Sequence, residues 1–370
     1  MNLRQYFVER DPFTSRAFFP VFSKEDLTGP EGVERLFAVR STEEVQGVAL
    51  NAAFPDVETR YKAFMGRLTK PEKRLNVVGL GDVGGTLITA LKLLGDGIGE
   101  IGVYDPNEAL CRRYEMELNQ VLDREKPLVC ILHEEELFDC DAFLFTASRG
   151  VPPIGATGDV RMLQFEKNRD MLKAYTKKAR EARFSGLFCQ ISDPVDQLSR
   201  CAFLQSNRNE SGDYDFKGLL PEQVAGFGLG VMKARAAYMA RRLEVDDGSL
   251  RAYGPHGAGL VIANSPTEYD SELSGELTRL TVSANKEVRG LGFKPYIAPA
   301  ISSAALSILS LLRGEEFHGA IPMGGVYFGC VSRMTPAGSV VRGEKLHSEL
   351  KARLRAAWAD LREAEDQCRL

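Results

Sequence analysis

A chain of 370 residues, 44% hydrophobic and 26% charged, has the composition of a soluble globular protein and the length of two domains. Its 47 basic and 51 acidic side chains are well mixed and leave a net charge of −4, which speaks against nucleic acid as the main partner. The longest apolar stretch, residues 300–312, is interrupted by Ser302, Ser303, Ser307 and Ser310 and falls short of the ~20 residues of a membrane span, so a buried helix is expected there and no membrane partner.

Residues 1–73 mix proline, phenylalanine and charge in irregular order and carry no chemical motif, so they are expected to be an N-terminal extension. Phe18, Phe19, Val21, Phe22, Phe37, Phe54 and Phe64 ask for burial, and short helices are predicted over 31–36 and 55–67. Residues 1–11 hold charges of both signs and lack the apolar centre of a signal peptide, which gives a cytoplasmic expectation. Regular alternation begins at Leu75: strands are predicted at 75–78, 98–104, 142–146 and 186–191, and helices at 82–94, 108–122 and 163–183. Strands alternating with helices predict a doubly wound parallel sheet of Rossmann type over 74–224. From residue 225 helical spacing dominates, at 231–243, 271–289 and 300–312, and Leu346, Leu350, Leu354, Trp358 and Leu361 form one stripe of a C-terminal amphipathic helix. A second domain is expected over 225–370. The seven cysteines, Cys111, Cys130, Cys140, Cys189, Cys201, Cys330 and Cys368, contain no C-x-x-C pair and no ligand spacing with histidine, so reduced thiols are expected and no metal site.

The strongest motif is Val77-Val78-Gly79-Leu80-Gly81-Asp82-Val83-Gly84-Gly85. Gly79 permits a tight turn out of the strand, Gly81 lets a pyrophosphate approach the backbone, and Gly84 lets the helix pack on the strand. The helix start at Asp82 and Val83 turns the positive end of the helix toward a phosphate. Asp105 closes the next strand about 20 residues on, where a carboxylate accepts hydrogen bonds from the adenine ribose and repels a 2′-phosphate. The expected cofactor is therefore NAD.

From about residue 75 onward the chain resembles the lactate/malate dehydrogenase family. Ile101 to Asp105 followed by Tyr114-Glu115-Met116-Glu117-Leu118 resembles its second strand and helix. Phe145-Thr146-Ala147-Ser148 resembles its T-A-G turn beside the cofactor, and Ile191-Ser192-Asp193-Pro194-Val195-Asp196 its V-S-N-P-V-D. Leu220-Pro221 through Arg235 resembles the segment of its catalytic acid and substrate arginine, and Gly254-Pro255-His256-Gly257 its G-E-H-G. The resemblance implies a mixed α+β C-terminal domain, a small carboxylate substrate and a homodimer or homotetramer. It implies that His256 exchanges a proton with the substrate oxygen, a task suited to its near-neutral pKa. It makes Arg235 the bidentate carboxylate anchor, and makes Arg161, seven residues before Asn168, the lid arginine that polarises the carbonyl. Thr146, Ala147 and Ser148 join Gly79, Gly81, Asp82, Val83, Gly84 and Asp105 as cofactor residues.

Two positions depart from that pattern. The aspartate that orients the family's histidine is Met232 here, which cannot accept an imidazole N–H. The family's substrate asparagine is Asp193, which when ionised only accepts. Asp193 either takes over the orientation of His256, with Met232 as an apolar wall, or faces a cationic substrate group. The second case gives an amino or imino acid dehydrogenase. A third reading is a catalytically silent NAD-binding or assembly protein. The Gly/Pro-rich loop that starts at Arg149 is longer than the family's and aligns Val151 with the second malate arginine, which speaks against malate. Pro295-Tyr296-Ile297-Ala298-Pro299 predicts an apolar substrate wall and a shifted helix start.

Overall fold

The computed structural model describes residues 2–29, 31–40, 42–121, 125–149 and 160–367. The chain divides into two compact units, Pro55–Ala225 and Met1–Phe54 with Gly226–Leu370.

In the unit Pro55–Ala225, short apolar runs form five parallel strands: β4 (Lys73–Val78), β5 (Ile98–Tyr104), β6 (Leu128–Ile131), β7 (Ala142–Phe145) and β8 (Leu187–Gln190), after β1–β3 of the other unit. Their order is β8-β7-β4-β5-β6. The connecting helices are α2 (Asp82–Leu94), α3 (Glu108–Asn119) and α4 (Val160–Glu181), preceded by α1 (Val57–Leu68) and followed by α5 (Val195–Ser206). The central strands lack a polar face because both sides are covered; Phe143, Phe145 and Phe188 are fully buried and pack ring on ring. Strand order reverses between β4 and β7, which opens a crevice at their carboxyl ends. This is the expected Rossmann-type α/β fold.

The other unit contains α6 (Leu229–Arg242), the ribbon β10 (Arg251–Tyr253) and β11 (Val261–Ala263), α7 (Ser271–Gly290), α8 (Leu306–Leu312), and α9 (Ser348–Gln367). It also holds an antiparallel meander of β12 (Glu316–Met323), β13 (Val326–Thr335) and β14 (Gly338–Val341). The short β9 (Val224–Gly226) pairs with β12 through Gly226 and Ala320. The expected helix over 300–312 is interrupted: Pro299–Ala305 is a π-helix that leads into α8. Pro299 has no N–H to give, which accommodates a non-α register at the start.

The extension differs from a single appended segment. Residues from α1 onward belong to the Rossmann unit, whereas β1 (Arg4–Val8), β2 (Phe18–Val21) and β3 (Gly47–Asn51) form a small sheet, β1-β3-β2, in the other unit. Phe18 and Phe19 are buried there, Glu31 pairs with Arg16 at 3.1 Å, and Arg35 donates to the Pro322 and Ser339 carbonyls at 2.9 and 3.1 Å. The helix expected over 31–36 is a 3-10 turn, Val33–Phe37, whose Glu34 pairs with Arg355 of α9.

Candidate functional site

The glycine turn between β4 and α2 is held by close approaches at two of its glycines. A Cβ on Gly79 (φ +94°) would lie 2.6 Å from the backbone of Ala147, and one on Gly84 would lie 1.9 Å from the Gly79 carbonyl. Both glycines are required by packing. Gly81 is different: a Cβ there would meet nothing within 4 Å, so the backbone borders open space at the start of α2. Open backbone of this kind at a helix start has the shape a bound pyrophosphate would fit.

The residues expected beside the cofactor converge on this turn. The hydroxyl of Thr146 donates to the Val78 and Gly79 carbonyls at 3.0 and 2.5 Å. The hydroxyl of Ser192 donates to the Ala147 carbonyl at 2.6 Å. The carboxylate of Asp105 accepts from the Leu80 amide at 2.8 Å and the Asn107 amide at 2.9 Å, which fixes it at the rim of the same turn. Asn168 is fully buried, and sequence reasoning used it only as a spacing marker. Its carboxamide accepts from the Arg149 amide and donates to Ser148 Oγ and to the Asp193 carbonyl, at 2.9, 3.3 and 2.7 Å. It thus joins the turn after β7 to the segment of Asp193, whose own side chain is exposed. Residues 150–159, with Val151, lie outside the described residues, as does the Arg161 side chain; the backbone of Arg161 falls in the first turn of α4.

In the other unit His256 stands in a turn after β10 that is stitched to β13 by the Gly254 amide donating to the Gly329 carbonyl at 2.9 Å. The imidazole packs on the residue before α6: a Cβ on Gly228 would lie 2.8 Å from His256 Cβ and Cγ. Arg235 is about two turns further along α6 and half-buried, with Nη1 3.9 Å from the sulfur of Met232. Met232 is 4% exposed and belongs to an apolar cluster with Leu229, Val231 and Ala236. The position offers no carboxylate and is filled as core. His318 of β12, also half-buried, lies near Lys233, Arg251 and Arg342; desolvation and these cations lower its pKa to about 4 and keep it neutral. No group of His, Cys, Asp and Glu that could hold a metal is found among the described residues. None of their helices is long and apolar enough to cross a membrane.

No family model matches the chain. It is 26% identical over 259 residues to an L-lactate dehydrogenase of Latilactobacillus sakei, covering 69% of this chain and 73% of that one. It is 28% identical over 198 residues to the L-lactate dehydrogenase of Streptococcus pneumoniae, where the match spans 51% of this chain and only 55% of the relative. These relatives support reading the chain as a divergent relative of the lactate/malate dehydrogenases. Solved structures of this family share its fold. The minor L-lactate dehydrogenase of Enterococcus mundtii superposes with a TM-score of 0.67 at 19% identity, over 81% of this chain and all of that one. The malate dehydrogenase of Archaeoglobus fulgidus, solved with NADH, gives 0.66 at 20% identity, over 80% of this chain and 99% of that one.

Proposed function

We propose that the protein is an NAD-dependent oxidoreductase acting at C2 of a small 2-hydroxy or 2-oxo carboxylate. The observation that carries this reading is the placement of His256 against the first turn of α6, the helix that presents Arg235. A proton-transfer group and a carboxylate anchor then belong to one rigid element pair. Bound nicotinamide would supply or take up the hydride. His256 gives or receives the proton at the substrate oxygen, Arg235 holds the carboxylate in a two-pronged grip, and Arg161 polarises the carbonyl. Gly79, Gly81, Asp82, Val83, Gly84, Thr146, Ala147 and Ser148 form the dinucleotide cradle.

Asp105 selects NAD through its charge. Asp105→Asn is expected to weaken NADH binding while relieving repulsion of a 2′-phosphate, shifting the NADH-to-NADPH affinity ratio toward NADPH by roughly 10- to 100-fold. Fluorescence titration with both cofactors reads this directly, and an unchanged ratio refutes the assignment.

Asp193 supports a second reading. The family's amide at this position is replaced by a group that only accepts when ionised, which suits a substrate amine or imine. NADH consumption across a panel of 2-oxo acids, with and without ammonium, tests both readings. Turnover without ammonium supports ketone reduction; turnover only with ammonium supports imine chemistry. If Asp193 orients His256, Asp193→Asn lowers turnover of the 2-oxo acid, by roughly tenfold or more. Equal or faster turnover in that variant would assign Asp193 to substrate charge instead. No turnover under any condition, with NADH bound, would favour a silent cofactor-binding protein.

A further inference from the structure

The first N–H groups of an α-helix have no partner within the helix, and a Ser, Thr, Asn or Asp at the preceding position normally accepts from one of them. The residue before α6 is Gly228, which has no side chain to offer. The reason is steric: a side chain at 228 would occupy the place of the His256 imidazole. The missing cap arrives from a distant part of the chain. Ser303 Oγ accepts from the Val231 amide, the third of the helix, at 2.8 Å, and its O–H donates to the Gly228 carbonyl at 2.7 Å. Ser303 is 2% exposed, so both bonds are shielded from bulk solvent. It stands in the π-helix Pro299–Ala305, whose backbone touches the same turn: a Cβ on Gly230 would lie 2.2 Å from the Ser302 carbonyl. Single π-turns inside helices recur at functional sites.

We infer that Ser303 is a positioning residue for His256. The interrupted helix serves to bring its hydroxyl onto the start of α6, leaving Gly228 bare as the seat of the imidazole. Ser303 touches neither substrate nor proton. It fixes the start of α6, against which His256 rests and which leads into the turn that carries Arg235. This rests on the proposed role of His256, and the test separates the two.

The test uses the full chain and three variants: Ser303→Ala, Ser303→Cys, and Ser303→Thr, which keeps the hydroxyl. Two readouts are taken: steady-state kinetics with NADH and the best 2-oxo acid, and the side-chain NMR signals of the four histidines, His256 being assigned by its loss in His256→Gln. Ser303→Ala is expected to move the His256 signal while those of His133, His318 and His347 stay in place. It should lower kcat/KM by roughly 10- to 100-fold, with NADH affinity unchanged. Ser303→Thr should restore both. If Ser303→Ala does not fold, Ser303→Cys, of similar size but a weak donor and acceptor, is expected to show the same two effects. A folded Ala or Cys variant with the His256 signal unmoved and kcat/KM intact overturns the inference and leaves Ser303 as packing. If the unaltered protein turns over nothing, the functional reading fails, yet the NMR comparison still decides whether Ser303 positions His256.

Discussion

His256→Gln is expected to lower kcat/KM for the 2-oxo substrate by roughly two to four orders of magnitude, the usual worth of a positioned acid/base group. Glutamine fills a similar volume and keeps polar atoms, but it does not titrate near neutral pH. The turn that carries the residue is anchored through the backbone, Gly254 to Gly329, so the fold should tolerate the change. The glycine turn proposed to hold the cofactor lies in the Pro55–Ala225 unit, so NADH affinity should be unaffected. Rapid-mixing kinetics beside an NADH titration measure both. Equal losses in binding and turnover would mean a structural role for the imidazole.

The second large effect concerns the glycine turn. A methyl group at position 84 would meet the Gly79 carbonyl at 1.9 Å and Thr146 Oγ1 at 2.7 Å, and the nearest atom is backbone, which cannot swing away. For Gly84→Ala, α2 must lift from β4, at a cost of about 1–3 kcal/mol or more in stability. The same shift moves the start of α2 away from the proposed pyrophosphate position, so NADH affinity is expected to fall by roughly 100-fold, about 2.7 kcal/mol. Gly81→Ala is the informative partner, because its methyl meets no protein atom: it should retain the melting temperature and lose NADH affinity. Thermal melts and fluorescence titration separate the two. Loss of stability without loss of NADH affinity in Gly84→Ala would place the cofactor elsewhere.

The Rossmann half was legible because its strands are short apolar runs punctuated by glycine. The boundaries of α2 and β5 fall where the turn residues of the glycine motif and Asp105 place them. The meander β12–β14 was not read, since both faces of its strands are largely buried and no clear alternation of polar and apolar residues survives. A usable signal was present in Gly324-Gly325: both have positive φ, as a tight hairpin turn between apolar runs requires. The run over 300–312 reads as one helix because hydrophobic spacing cannot tell an α-turn from a π-turn. Thr146 lies one residue past the end of β7, its amide still donating to the Val78 carbonyl at 3.0 Å.

Within the candidate site, residues marked by local motifs were legible, and those defined by distant contacts were not. Gly79, Gly84, Asp105 and His256 sit in turns whose chemistry is local. Ser303 acquires its role from bonds to residues 72 and 75 positions away. Asn168 likewise draws together Ser148, Arg149 and Asp193, separated from it by 19 to 25 positions. Met232 reads as a defect against the family pattern. In the fold it is a core residue of α6, so the loss of the carboxylate is accommodated by packing.

On the proposed function, hydride moves between a nicotinamide and C2 of a small carboxylate. The most direct measurement incubates the protein with NADH deuterated at the transferring position and a panel of 2-oxo acids, with and without ammonium, and locates the deuterium by mass spectrometry. The expected result is a 2-hydroxy acid carrying one deuterium at C2, its formation abolished by His256→Gln. NADH bound at saturation with no deuterium in any product would contradict the claim.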